Sequence, residues 1–388
     1  MANYGLISCD DHLDMNQLPA DLWTSRLPPQ FQDRAPHVEE LPDGRAVWMC
    51  DGQTWGHWSG KGSFFKGPKP IFTAFDRGGV VDQTERRPAV AELRLKDMDR
   101  DGVHTHVVFG PVTSFNHPDL ELRDACYSTY NDWLADFCRV APDRLLGVPM
   151  LPPSPEAAVK ELHRIAAMGV FKQVNLQIAV VEPRLHDARW EPLWQALEDS
   201  GLILAWHVTV FFPPEGDPSR GKMAGSFTHM KSFITQFLDA FVDLFAWGIL
   251  EKHPKMKVVI AESGAGWLPW VVEELDYRHW RLWEAKEFWA DKGGIPLKTK
   301  PSDLFKRQIY STFQQSPVTM RLLEFYGDNL LWASDYPHPD SIWPDSKPTI
   351  ERTMGHLPPE TIKKLTHDNA AKLYGLFEYA PAGKIAAE

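Results

Sequence analysis

The sequence predicts an α/β fold, a (β/α)8 TIM barrel with a small β-rich insertion after its first strand, and three observations support this. First, short apolar runs alternate with helix-like segments from residue 100 to near the end of the chain. Second, most of these runs lack a polar face, which is typical of parallel strands buried on both sides. Third, the runs number eight when one at the N-terminus and one near 308–312 are included, and eight parallel strands close into a barrel.

The strand and helix segments follow one another in the order that a barrel requires. The first strand is predicted at 6–10, and the others at 103–110, 144–150, 173–178, 202–208, 257–262, 308–312 and 329–335. Helices are predicted at 119–140, 154–168, 190–199, 227–250 and 359–376. The third of these helices ends before Gly201, because glycine readily adopts the left-handed conformation that closes a helix. We expect residues 1–388 to form one barrel domain.

One segment interrupts the alternation at about residues 39–80. It is rich in glycine, and Trp48, Trp55 and Trp58 lie between the glycines. This pattern is typical of turns between short strands rather than of helices. We therefore expect β-hairpins or loops here, inserted between the first strand and its helix and covering one mouth of the barrel.

Composition and charge exclude several classes of protein. Of the 388 residues, 43% are hydrophobic and 24% are charged, and the net charge is −11. No run of five lysines or arginines occurs, which argues against nucleic-acid binding. No apolar stretch of about 18 residues occurs either, so no membrane span is expected. The four cysteines lack CxxC spacing and no signal-peptide pattern is evident, so we expect a soluble, cytoplasmic protein.

The first strand ends in a pair of candidate metal ligands. Residues two apart on a strand face the same way, so Asp10 and His12 share one face and Asp11 points to the other. A carboxylate oxygen and an imidazole nitrogen are both suitable ligands for zinc or another divalent cation. Taken alone the pair is a weak signal, because an Asp-x-His sequence at a strand end is often structural or incidental.

Three further strands end in residues of the same chemical types. His207, Glu262 and Asp335 each end a buried apolar run. An ionisable side chain in such a position is costly to bury without a partner. Active sites of (β/α)8 barrels lie at the carboxyl ends of the strands, so the four strand ends together predict a metal site at that face.

The same stretches resemble a known family. They are similar to the amidohydrolase superfamily, and within it to the branch related to aminocarboxymuconate-semialdehyde decarboxylase. The stretches that carry the resemblance are ISCDDH at 7–12, ILAWHV at 203–208, VVIAESGAGWLPWVVEELD at 258–276, WASDYPHPD at 332–340 and HDNAAKLYGL at 367–376. They span nearly the whole chain, in the order and at the strand positions of that branch. The resemblance implies a metal-dependent enzyme but no particular substrate.

The resemblance also implies a ligand set. It places one divalent metal ion, commonly zinc but with manganese, iron or cobalt as alternatives, on four side chains: Asp10, His12, His207 and Asp335. Many members have a first histidine where Asp10 stands. The strand-four lysine that bridges two metals in dinuclear members has no convincing counterpart, because Lys172 lies near the start of its strand. A homodimer is expected, because the branch is often dimeric.

Three residues are candidates for catalysis. In a hydrolase of this kind a metal-bound water attacks a carbonyl, and Asp335 would take the proton of that water and return it to the leaving group. Glu262 stands where the decarboxylase has a histidine, and it could position the water, act as the acid or ligate the metal. His338, three residues after Asp335, is a candidate substrate or proton contact. His104 and His106, early in their strand, are expected to have packing or hydrogen-bonding roles.

The sequence leaves three functions open. The leading prediction is hydrolysis of an amide-like or C–C bond in a small, aromatic-derived compound, because a second carboxylate at Glu262 suits proton transfer from water. The first alternative is metal-dependent nonoxidative decarboxylation, which the wider branch performs. The second alternative is a barrel that binds metal without catalysing a reaction.

Overall fold

The structure is a computed structural model, and it describes residues 5–42, 44–58, 87–112, 115–209, 232–290, 297–338 and 341–376. The chain divides into two compact units. Unit 1 comprises Met1–Pro111, Phe115–Pro149 and Leu331–Glu388, and unit 2 comprises Val112–Ser114 and Met150–Leu330.

The elements below are numbered in chain order among the described residues. The strands are β1 Leu6–His12, β2 His37–Glu40, β3 Ala46–Cys50, β4 Gln53–Trp58, β5 Val103–Phe109, β6 Leu145–Val148, β7 Gln173–Asn175, β8 Ile203–His207, β9 Val258–Ala261, β10 Ile309–Phe313 and β11 Leu330–Trp332. The α-helices are α1 Ala91–Asp101, α2 Leu120–Arg139, α3 Pro155–Met168, α4 Glu191–Ser200, α5 Ser232–Ala246, α6 Ile249–Lys252, α7 Leu268–Glu284, α8 Lys286–Ala290, α9 Pro301–Gln308, α10 Pro317–Arg321, α11 Leu323–Tyr326, α12 Ser346–Met354, α13 Pro359–Lys363 and α14 Asn369–Tyr374.

In unit 1, β1, β5 and β6 form a parallel sheet with β5 in the centre. The register pairs Ser8 with His106 and His12 with Phe109, and it shifts between Ser8 and Asp11. Every residue of β1 is buried, which agrees with a strand that carries no solvent-facing side. Because β1 ends at His12, the candidate ligands Asp10 and His12 lie at the carboxyl end of this sheet.

A second sheet of unit 1 consists of β2, β3 and β4, which pair antiparallel. Two of its tryptophans donate hydrogen bonds to the segment that follows β1. The indole Nε1 of Trp48 donates to the carbonyl of Met15 at 2.6 Å, and that of Trp58 donates to the carbonyl of Leu18 at 2.8 Å. Residues 59–80 of the predicted insertion lie outside the described residues, so its position over a barrel mouth stays a prediction.

In unit 2, β7, β8, β9 and β10 lie side by side in this order and are parallel. His207 at the end of β8 pairs with Ala261 at the end of β9, so Glu262 follows directly at the same edge. Helix α4 ends at Gly201, whose φ of 70° is left-handed, as the sequence predicts. The sheet therefore presents His207 and Glu262 together at the carboxyl ends of its strands.

Strands occur at all eight predicted positions, as β1 and β5 to β11, with helices between them, so the α/β fold is confirmed. Closure of these strands into one barrel and the single-domain organisation stay predictions. The predicted helix 227–250 is divided in its described part, because Gly248 has a left-handed φ of 69° between α5 and α6. Within the described residues, none of the helices has the length and apolar character needed to span a membrane.

Candidate metal centre

In unit 1, three ligand-type side chains converge at the end of β1. The Nε2 atom of His12 lies 3.4 Å from Oδ1 of Asp10 and also 3.4 Å from Oδ1 of Asp335. All three side chains are buried. Because two carboxylates are costly to bury together without a compensating positive charge, this arrangement favours binding of a cation.

Two backbone hydrogen bonds hold the Asp335 segment beside β1. The amide of Asp335 donates to the carbonyl of Asp10 at 2.9 Å, and the amide of His12 donates to the carbonyl of Tyr336 at 2.7 Å. The backbone of Asp335 is left-handed, with a φ of 60°, which is uncommon for a residue other than glycine. Such strained residues persist only where the surrounding structure enforces them, and they cluster at functional sites.

A second imidazole, that of His338, lies beside these side chains. Its Nδ1 is 2.9 Å from Oδ1 of Asp335, and its Nε2 is 3.0 Å from Oδ2 of Asp14. Burial lowers the pKa of His338, but the carboxylates of Asp335 and Asp14 outweigh that effect and raise the pKa well above its ordinary value. His338 is therefore a buried imidazolium that donates a hydrogen bond on each side.

The donors of unit 1 fit a divalent metal ion. Two ligands that each lie about 2.1 Å from one ion, at a tetrahedral angle, are about 3.4 Å apart. Both distances from Nε2 of His12 have this value. Carboxylate and imidazole donors together suit zinc, manganese, iron or cobalt. Asp10, His12 and Asp335 would hold the ion, whereas both ring nitrogens of His338 face carboxylates, those of Asp335 and Asp14.

The opposite side of β1 carries two buried titratable residues, Asp11 and Arg94. Oδ1 of Asp11 accepts hydrogen bonds from Oγ of Ser334 at 2.6 Å and from the amide of Tyr336 at 3.1 Å. Arg94 of α1 donates from Nη1 to the carbonyl of His12 at 2.9 Å. Burial raises the pKa of Asp11 to about 8, although Arg94 and the hydrogen bonds oppose this. Asp11 thus points away from the metal donors, as strand alternation predicts.

His106 of β5 belongs to the same buried group. Arg94 donates from Nε to Nδ1 of His106 at 3.3 Å. Burial, with the charges of Arg94 and Arg144, lowers the pKa of His106 well below its ordinary value. The neutral ring therefore accepts the hydrogen bond, which is the interior role that the sequence predicts.

In unit 2, His207 and Glu262 meet at the ends of β8 and β9. Oε2 of Glu262 lies 3.1 Å from Nε2 of His207. Nδ1 of His207 is 2.8 Å from the carbonyl of Val208, so Nδ1 carries the hydrogen and Nε2 of the neutral ring has the lone pair that a metal requires.

Glu262 reaches His207 because its backbone leaves the regular strand. His207 pairs with Ala261, so a regular strand would turn the next side chain to the other face. Glu262 instead has a left-handed φ of 51°, and its amide donates to Oγ1 of Thr312 at 3.0 Å. This conformation directs the carboxylate back toward β8.

The predicted site residues therefore form two groups. Unit 1 brings together Asp10, His12, Asp335 and His338, and unit 2 brings together His207 and Glu262. The sharing of one ion by ligands of both units stays a prediction.

The sequence interpretation missed Asp14, which holds His338. In the sequence, the only indication of this role is that Asp14 lies two residues after His12. Because β1 ends at His12, strand alternation no longer predicts which way the side chain of Asp14 points. Sequence spacing alone therefore did not separate Asp14 from an ordinary loop carboxylate.

A family model described as amidohydrolase (Amidohydro_2) matches residues 79–376, which is most of the chain. The chain belongs to the amidohydrolase family. Among curated relatives of this amidohydrolase, the gamma-resorcylate decarboxylase of Rhodococcus jostii strain RHA1 is 24% identical over 266 residues. The aligned part covers 64% of this chain and 77% of that relative.

Solved structures of other amidohydrolase-type enzymes have the same fold. An amidohydrolase from Mycobacterium avium subsp. paratuberculosis K-10 gives a TM-score of 0.67 at 20% identity, covering 97% of this chain and 100% of that one. A dihydroxybenzoic acid decarboxylase from Polaromonas sp. JS666, solved with manganese and the inhibitor 2-nitroresorcinol, gives 0.61 at 17% identity, covering 98% and 99%. At these identities the likeness shows the fold alone.

The comparisons confirm the resemblance to the amidohydrolase superfamily. They name decarboxylases among the relatives, so the decarboxylase alternative that the sequence left open fits them better than the leading prediction of a hydrolase. The manganese is that of the Polaromonas enzyme, and zinc in this chain stays a prediction. The homodimer and the cytoplasmic location also stay predictions.

Proposed function

We propose that this amidohydrolase is a metal-dependent nonoxidative decarboxylase that removes a carboxyl group from a small hydroxylated aromatic acid. The observation that carries the proposal is the pair formed by Asp335 and His338, in which a carboxylate among the metal donors is hydrogen-bonded to a buried imidazolium at 2.9 Å. The names of the relatives support both the reaction type and the substrate class.

The reaction replaces the carboxyl group on a ring carbon by hydrogen. The bond between the ring carbon and the carboxylate carbon breaks, and carbon dioxide leaves. The electron pair of that bond stays with the ring carbon, which takes up one proton. The reaction therefore consumes a proton and needs no attacking water, so the protein has to supply a buried acid near the reacting carbon.

Asp335 and His338 together can supply that acid. Asp335 would deliver the proton to the ring carbon, and His338 would restore it through the hydrogen bond from Nδ1 to Oδ1. Asp14, bound to the other nitrogen at 3.0 Å, keeps the imidazole oriented and stabilises its charged form. A divalent ion would bind oxygens of the substrate and draw electron density away from the bond that breaks.

The proposed ligands of that ion are the four side chains that the family resemblance implies: Asp10, His12, His207 and Asp335. Support for them comes from each unit by itself, through the donor spacing around His12 and the lone pair on Nε2 of His207. We propose manganese or zinc, because both accept mixed oxygen and nitrogen ligands and the Polaromonas relative binds manganese.

Hydrolysis of an amide-like or C–C bond is the second candidate, and Glu262 favours it. A carboxylate at the end of β9 could accept a proton from an attacking water. In unit 2, however, the Oε2 atom of Glu262 already faces Nε2 of His207 at 3.1 Å. A carboxylate oxygen and a ring nitrogen at that spacing can both face one cation, so Glu262 supports hydrolysis less than it does in the sequence alone.

The test separates the two reactions by following isotopes. Manganese-loaded and zinc-loaded protein is incubated with gamma-resorcylate and related hydroxybenzoates carrying ¹³C in the carboxyl group, in deuterated water. We expect ¹³CO₂ and a ring product with one new deuterium. A panel of aryl amides and 1,3-diketones in H₂¹⁸O tests hydrolysis. Uptake of ¹⁸O without any release of carbon dioxide would contradict the proposal, and no reaction with either panel by metal-loaded protein would favour a non-catalytic barrel.

A further inference from the structure

The side of β1 that faces away from the metal donors holds two titratable side chains with no access to solvent. Asp11 and Arg94 are both 0% exposed. Burial of such polar groups costs free energy unless they are hydrogen-bonded, and apolar side chains of similar size would often be more stable there. The hydrogen bonds that each residue makes indicate a role other than stability.

Asp11 holds the residues on both sides of Asp335. Its Oδ1 accepts from Oγ of Ser334 and from the amide of Tyr336, which directly precede and follow that ligand. Oγ of Ser8, on the same strand as Asp11, in turn accepts from the amide of Ser334 at 2.7 Å. The peptide of Asp335 is thus fixed at both ends by side chains of β1.

Arg94 holds the other ligand-bearing segment. Its Nη1 donates to the carbonyl of His12 at 2.9 Å and to the carbonyl of Pro88 at 3.2 Å. Its guanidinium also lies 5.0 Å from the centre of the Tyr336 ring. Arg94 therefore touches both the end of β1 and the residue that follows Asp335, and it connects them to α1.

We propose that Asp11 and Arg94 are positioning residues that set the spacing between the ligands on β1 and Asp335. The inference rests on the proposed metal site. Asp335 has a strained left-handed backbone, which is kept only while its neighbours are fixed. Loss of the Asp11 carboxylate removes the hydrogen bonds to both neighbours of Asp335 and leaves that segment with the bond from the amide of Ser334 to Ser8 and the two backbone hydrogen bonds to β1. The distances of 3.4 Å between donors are then less firmly enforced.

The test measures metal binding directly. Full-length wild-type protein and the Asp11→Ala variant, which removes the acceptor of both hydrogen bonds, are stripped with a chelator and titrated with Mn²⁺, and the bound ion is followed by electron paramagnetic resonance. We expect Asp11→Ala to bind Mn²⁺ about 10- to 100-fold more weakly, as is typical when an outer partner of a metal ligand is lost. We also expect a changed spectrum, which reports ligand geometry and which a loss of stability alone would not alter.

Asp101→Ala is the matched control. Asp101 is a buried carboxylate on the same helix as Arg94, and it accepts from the amide and from the hydroxyl of Ser346. Neither Asp101 nor Ser346 is next to a proposed metal ligand in the sequence. We expect this variant to bind Mn²⁺ within about threefold of wild type, with the wild-type spectrum, even where its melting temperature falls.

Two results would overturn the inference: wild-type affinity and spectrum in Asp11→Ala, or equal weakening in both variants. If Asp11→Ala does not fold, Ser334→Ala, which removes one of the two donors to Asp11, takes its place with the same expected direction. The proposed reaction is judged separately. A wild-type protein that binds Mn²⁺ but releases no carbon dioxide would remove the proposed function and leave the inference intact, and a wild-type protein that binds no Mn²⁺ would overturn both.

Discussion

The imidazole ring of His338 stacks on that of His12, with ring centroids 3.9 Å apart and an angle of 16° between the planes. The carboxylates of Asp14 and Asp335 face both ring nitrogens of His338 and raise its pKa well above the ordinary value. Because the two rings are stacked, the contacts of His338 also help to fix the plane of the His12 ring, whose Nε2 faces Asp10 and Asp335.

Replacement of His338 by glutamine tests whether His338 supplies the proton that Asp335 delivers to the ring carbon. Glutamine can still bond to a carboxylate, but it cannot donate a proton. We expect kcat to fall about 100-fold, within the usual range for loss of an acid–base group. Asp14→Asn should lower kcat in the same direction, because it removes the charge that stabilises the imidazolium. The measurement is steady-state release of carbon dioxide.

The double variant of His338 and Asp14 provides the control for that experiment. If the two residues act as one unit, the double variant should lose little more than His338→Gln does. Independent losses that multiply would show that Asp14 acts elsewhere. A wild-type kcat in His338→Gln would remove His338 from the proton path.

The Asp335→Asn variant distinguishes the role of Asp335 as an acid from its role as a metal ligand. The amide oxygen can still approach a cation, but the side chain no longer carries the proton. We expect turnover to fall at least about 1,000-fold. Circular dichroism should be unchanged, and metal analysis should find much of the ion still bound. Near-normal turnover would exclude Asp335 as the acid.

Removal of the metal should abolish activity and lower stability together. A ligand that binds only the folded state stabilises it, by about 2.7 kcal/mol when its concentration is 100 times its dissociation constant. We expect the chelator-treated protein to melt at a lower temperature and to release no carbon dioxide, and Mn²⁺ or Zn²⁺ to restore both. Full activity in protein shown by elemental analysis to be metal-free would contradict the metal-dependent proposal.

A separate prediction concerns the stability of unit 1 as a function of pH. Asp101 is buried, and its carboxylate accepts from the amide of Ser346 at 2.9 Å and from its hydroxyl at 2.5 Å. Burial raises the pKa of Asp101 to about 6, although these hydrogen bonds oppose it. Folding therefore favours the protonated acid, and the stability that this form contributes is lost as pH rises from about 4 through 6.

The Asp101→Asn variant should not lose this stability as pH rises, because the amide has a similar shape and does not ionise. At pH 7 we expect a free energy of unfolding about 1–3 kcal/mol higher than that of wild type. At pH 4 the two proteins should differ little. Urea unfolding at pH 4, 5, 6 and 7 measures the difference, with Asp99→Asn, an exposed position on the same helix, as control. A difference that does not change with pH would contradict the assignment to Asp101.

Some of the site could be predicted because strand geometry is regular. Asp10 and His12 share a face of β1, and His207 ends an apolar run, so alternation and burial were enough to select them. The direction of Glu262 could not be predicted in this way. It depends on a left-handed residue just past the strand, and a sequence gives no sign of such a conformation at a glutamate.

The hydrogen bonds that hold the metal donors in place also could not be predicted from the sequence. Asp11 could be assigned to the other face of β1, but its bonds to Ser334 and Tyr336 join residues more than 300 positions apart. In the sequence, Arg94 does not differ from any other arginine of a helix, and its role follows from its contact with the end of β1. Contacts of this range depend on the tertiary fold rather than on local pattern, so the helices and strands were predictable while the interior charge network was not.

The left-handed backbones of Glu262 and Asp335 have a consequence for protein engineering. Glycine or asparagine adopts this conformation at lower cost, so a screen for heat resistance alone would reward those replacements at both positions. The stabilised variants would lose a carboxylate from the proposed site each time. Selection for thermostability without a simultaneous assay of turnover would therefore enrich inactive proteins, and libraries built on this scaffold should hold both positions constant.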